Sequence, residues 1–144
     1  MAEPGTLKTI HNKQKKMIGV LEQFEDLLLD TEYNRHGAGA EQIGCLFRQI
    51  QNRIDMHLRF ETEYLLPLLN QGAKTTSLPG LLQQREVILA LIAKIERLMM
   101  RTQNDSFGVG AWDELVESAL TLIRATFSLF HWEEREFIRC VKEG

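Results

Sequence analysis

The sequence predicts an all-α protein, an up-down-up-down antiparallel four-helix bundle. Three observations point there. Apolar residues recur at threes and fours along four long stretches, and no stretch alternates with period two for long. Short segments rich in glycine or polar residues separate those stretches. Long helices joined by short loops pack best against their sequence neighbours in opposite directions.

The first helix is expected from about Leu7 to Asp30, with Ile10, Met17, Leu21, Phe24 and Leu28 on one face. Thr31–Ala38 reads as a loop, and His36 within it carries no expected role. The second helix spans about Ala40 to Leu69, with Phe47, Ile50, Ile54, Leu65 and Leu68 facing inward. Pro67 should kink or end it, because proline lacks the N–H a helix needs. Asn70–Ser77 is polar, and Ser77-Leu78-Pro79 reads as a helix start. The third helix then runs to about Thr102, with Leu81, Ile88, Ile92, Ile95 and Met99 on its stripe. Gln103–Gly110 forms the last loop. The fourth helix covers about Ala111 to Val141, with Val116, Leu120, Ile123, Phe127, Phe130 and Phe137 buried.

At 144 residues the chain is read as one domain, 1–144, large enough for a sizeable core. Seventeen basic and twenty acidic residues give a net charge of −3 without a basic face, which argues against nucleic acid. No stretch is apolar enough to span a bilayer and the N-terminus has no signal pattern, so the expectation is a cytoplasmic bacterial-type protein with no membrane role. Cys45 and Cys140 should lie at opposite ends of the bundle, too far apart for a disulfide. No nucleophile–base pair is evident, so no enzyme is expected.

Polar residues interrupt the apolar stripes at one height. His57 and Glu61, four apart, continue the ladder from Ile54 on the second helix. His131 and Glu134, three apart, follow the fourth helix's stripe. Gln14 falls between Ile10 and Met17, Arg85 between Leu81 and Ile88, and His11 lies one turn before Gln14. Measured from the end where the first and third helices begin, all lie roughly 9–18 Å deep at 1.5 Å per residue. Buried polar groups are costly unless paired or bound to metal. Imidazole suits iron, zinc or copper, and carboxylates hold hard ions.

The segment His57-Leu-Arg-Phe-Glu61-Thr-Glu-Tyr-Leu-Leu-Pro67 resembles the second-helix motif of the hemerythrin-like (HHE cation-binding) family. His131-Trp-Glu-Glu-Arg-Glu136 is similar to its fourth-helix motif, and Ile10-His11-Asn-Lys-Gln14 to its first-helix ligand segment. The resemblance covers nearly the whole chain and implies a non-haem iron centre of one or two ions. Its uses would be oxygen binding, oxygen or redox sensing, or iron handling, with a small ligand such as dioxygen at open positions. The ligands it implies are His57, Glu61, His131, Glu134 or Glu136, and His11. The third helix departs from the pattern: it has no histidine, and Arg85 stands where one is expected. On the first helix the buried position is Gln14 rather than His11. Arg135 lies four after His131, which leaves Glu134 and Glu136 as alternatives for the carboxylate. A second reading follows from Arg85. Its guanidinium supplies the positive charge that iron supplies in that family, and the bundle is a metal-free regulatory or protein-interaction module. A protein partner or homodimer is compatible with either.

Overall fold

The computed structural model describes residues 4–31, 38–65, 67, 78–102 and 109–143. They form four long helices: α1 (Pro4–Thr31), α2 (Ala38–Phe60), α3 (Leu78–Thr102) and α4 (Val109–Glu143). A π-helical segment, Glu61–Leu65, continues α2. No strand occurs among the described residues. The expected loop around His36 (residues 32–37), Asn70–Ser77 and residues 103–108 of the expected loop Gln103–Gly110 lie outside the described residues, while Val109 and Gly110 already belong to α4.

Cross-helix partners fix the sense of each helix. Gln51 pairs with Glu96 and Glu61 with Arg85, so positions climb on α2 as they fall on α3. Lys94 pairs with Glu114, while a Cβ added to Gly80 would lie 3.8 Å from the Trp132 indole nitrogen, so α3 and α4 are also antiparallel. Lys13 lies over Phe60, and Met17 shares a cavity with Arg53 and Met56, which sets α1 against α2 in the same way. Contacts between α1 and α4 close the ring of four.

The core is a column of aliphatic and aromatic side chains. Leu21, Phe24, Leu28, Ile50, Leu81, Ile88, Ile95 and Leu122 have no exposed surface at all. Each such side chain contributes about 1.5–3 kcal/mol through removal from water. The expected inward residues of α1 to α3 whose side chains are described are buried, except that Met99 is half-buried. On α4 the expected stripe is displaced. Leu120 and Phe127 lie at the boundary, and the buried series is Leu115, Ala119, Leu122, Thr126, Leu129 and Glu133, together with Val116, Ile123 and Phe130. Two apolar ladders overlap on this helix. The large side chains of Leu120 and Phe127 mark one edge, while small Ala119 and polar Thr126 lie nearer the bundle axis. Thr126 is accommodated there because its hydroxyl donates to the Leu122 carbonyl at 2.8 Å.

Pro67 acts within one turn of the point expected. α2 ends as an α-helix at Phe60 and widens into the π turn just before the proline. The Leu58 carbonyl, at this junction, accepts from the Thr62 hydroxyl at 3.0 Å and from Arg85 Nη1 at 3.3 Å.

Candidate metal centre

Gln14, His57, Glu61 and Glu133 are the buried polar residues near the end of the bundle where α1 and α3 begin. His57 and Glu61 reach the centre together because they are four apart on the inner face of α2. Glu133 arrives from α4, one turn beyond Leu129 on the buried series. His57 Nε2 lies 2.7 Å from both Glu133 oxygens, so one N–H is shared by the two. It is also 3.4 Å from Glu61 Oε2. Gln14 Nε2 donates to Glu133 Oε1 at 3.3 Å. Arg85 Nη1 donates to Glu61 Oε1 at 3.2 Å, and Arg85 Nη2 to the Thr62 hydroxyl at 3.0 Å. The edge of the Phe130 ring closes over His57, with centroids 5.0 Å apart.

The charges in this cluster shape one another. Burial alone would lower the His57 pKa, but the two carboxylates beside it outweigh that and raise it to about 9. Burial and the neighbouring Glu61 charge push Glu133 up to about 8, against the opposing pull of His57. Burial also acts to raise Glu61, yet contacts with His57 and Glu133 and the charge of Arg85 leave it below the usual carboxylate range. The cluster therefore favours an imidazolium at His57 and an ionised Glu61 beside Arg85, and it makes Glu133 harder to ionise than an ordinary carboxyl.

The sequence-derived candidates divide. His57 and Glu61 are brought together at the centre, and Gln14 and Arg85 meet them as polar neighbours. The fourth-helix carboxylate at the centre is Glu133, not Glu134 or Glu136. His131 is exposed and away from the cluster, because the inner face of α4 passes through residues 129, 130 and 133. Glu134 is half-exposed and faces His11 Nδ1 at 3.6 Å on the surface. Glu136 lies 3.7 Å from the exposed Arg135. Anchoring the α4 motif on His131 shifted the expected carboxylate outward. The signal for Glu133 was present in the steps 119, 122, 126, 129 and 133. Thr62 was missed altogether, since its role depends on an arginine from another helix.

His57, Glu61 and Glu133 each offer a donor atom, and these lie within 4.8 Å of one another. One imidazole and two carboxylates suit a first-row divalent ion such as iron, manganese or zinc. Metal bonds of about 2.0–2.2 Å place adjacent donor atoms roughly 3 Å apart. The contacts of 2.7 and 3.4 Å bracket that spacing, so small side-chain adjustments suffice. Glu61 Oε2 is buried without a hydrogen bond, its ion-pair partner His57 Nε2 being 3.4 Å away, so it has acceptor capacity left within the cluster. Among the described residues no second group of three donors converges, and the other Glu61 oxygen accepts from Arg85.

Comparisons with family models, with curated proteins and with solved structures return no match. No described helix is long and apolar enough to cross a membrane.

Proposed function

We propose that this bundle is a hemerythrin-like protein with a reduced ligand set, binding one divalent transition-metal ion, non-haem iron foremost. His57, Glu61 and Glu133 would hold it, and its role would be oxygen or redox sensing or iron handling. The observation that carries this is the convergence of an imidazole and two carboxylates in a water-excluded core, with one carboxylate oxygen left without a hydrogen bond. The ion would supply a site for a small ligand such as dioxygen. The chain's own residues orient and insulate that site: Gln14 orients Glu133, Arg85 orients Glu61, and Phe130 screens His57 from water. The experiment is anaerobic loading with Fe(II) followed by elemental analysis. About one equivalent per chain is expected, because this cluster offers a single coordination site. Less than about a tenth of an equivalent would refute the proposal.

A second reading is favoured by the Arg85–Glu61 ion pair. In it the guanidinium is the permanent counter-charge and the protein is a metal-free regulatory or interaction module. Arg85→Leu is then expected to cost about 3 kcal/mol, the usual range for stranding a buried charge. Chemical denaturation measures this. Under the metal reading, Fe(II) restores much of the lost stability in Arg85→Leu; under the metal-free reading it restores none.

A further inference from the structure

We propose that the cleft between α1 and α2, next to the buried cluster, binds a small organic polyanion, an organic phosphate or a polycarboxylate with at least two negative charges. The cleft encloses about 190 Å³ and is lined by Lys13, Lys16, Met17, Arg53, Met56 and His57. Three of these six carry fixed positive charge, and none is acidic.

Helix spacing brings the cations together. Lys13 and Lys16 are three apart on α1, and Arg53 lies three and four residues before Met56 and His57 on α2, so each set shares one face. Some basic side chains elsewhere on the molecule have acids at hand: Arg59 reaches Asp55 at 3.2 Å, and Lys94 reaches Glu114 at 3.5 Å. No acid lines the cleft. The Lys13 ammonium sits over the Phe60 ring, 5.2 Å from its centroid, which places the charge without neutralising it. Like charges held around one recess with no acid among them attract an anion, and low-dielectric walls focus the field.

The same recess selects for size and character. Met17 and Met56 supply adaptable apolar contact for a short carbon chain. The volume is below the roughly 300–1,000 Å³ of pockets for drug-sized ligands, and suits a molecule of the size of citrate or glycerol 3-phosphate. A recess between two helices, on a chain of net charge −3, lacks the extended basic face that nucleic acid requires. His57 belongs to both the cleft wall and the buried cluster, so a bound anion would lie beside the centre without entering it.

The test is a nitrogen-15 NMR titration of the full chain at about 0.1 M salt, where distant surface charges are largely screened. Citrate and glycerol 3-phosphate are titrated separately. Saturable amide shifts are expected at residues 13–17 and 53–57, with a Kd of about 1 mM or tighter in at least one arm. Saturation by citrate alone identifies a polycarboxylate site, and by glycerol 3-phosphate alone an organic phosphate site. The double variant Lys16→Glu/Arg53→Glu should weaken binding at least about tenfold, as expected when two attractive charges become repulsive. Arg97→Glu, an exposed control on α3, should leave it unchanged. Absence of saturation in both arms, shifts scattered over exposed basic residues, or equal binding by the double variant and the control would each overturn the proposal. Lys16 and Arg53 are exposed, so their exchange leaves the core intact, and the wild-type shift map stands independently of both variants.

Discussion

Glu133 satisfies two donors at once, taking the shared N–H of His57 and the amide of Gln14, with almost no contact with water. Removing it leaves His57 beside a single carboxylate and empties part of the core. Glu133→Ala is therefore expected to abolish metal retention and to cost about 3 kcal/mol by urea titration. His131→Ala is expected to change stability by no more than about 0.5 kcal/mol and to leave metal content untouched, because its side chain is exposed. The opposite ranking would remove Glu133 from the site. At this scale the sequence was half legible. His57 and Glu61 could be found because both lie on a ladder that includes Phe47, Ile50 and Ile54, all buried. Glu133 was hidden because His131 and Glu134 make a more conspicuous pair, although helical phase turns them outward.

Helices α1 and α2 have one clear apolar stripe, but α3 has apolar residues nearly all round. Leu82, Val87 and Leu89 are about half exposed, while Leu81 and Ile88 are fully buried. Hydrophobicity alone cannot rank these positions; depth in the bundle does. Ile88→Ala should cost about 2–4 kcal/mol through lost burial and a residual cavity. Leu82→Ala should stay within about 0.5 kcal/mol. Thermal or urea unfolding of the two variants measures the contrast, and equal losses would mean that α3 is rotated about its axis. The helices themselves were legible from the period of 3.6, which local chemistry sets. The π turn was legible only as a disturbance before Pro67. The disturbed backbone there is tied to another helix, since the Leu58 carbonyl meets Arg85 from α3. A partner so distant in sequence leaves no local trace.

For the whole molecule, the cluster links folding to protons. His57 titrates at about 9 in the fold against an ordinary 6.5, so its contribution is complete below pH 6.5 and is lost as pH rises toward 9. Glu133 titrates at about 8 against 4.5, so its contribution is complete below pH 4.5 and fades by pH 8. Glu61 is shifted downward, so its contribution is present above pH 4.5 and is lost only as acid protonates it in the fold. The two windows overlap and together cover about pH 5 to pH 9, so across that range the metal-free protein should melt at progressively lower temperature as pH rises. A metal ion removes this dependence over most of the range. Its ligation needs His57 neutral and Glu133 ionised, so affinity increases with pH, and above about pH 6.5, where the unfolded chain has lost both protons too, the loaded protein holds its stability while the metal-free form loses it. Melting curves taken across this range, with EDTA and with excess Fe(II), should therefore diverge toward alkaline pH. If the two sets superimpose at every pH, Arg85 and the cluster's own protons are its only counter-charges and the metal-free reading holds. A metal-free melting temperature that instead climbs from pH 5 to pH 9 would mean that His57 is not held as an imidazolium between the two carboxylates.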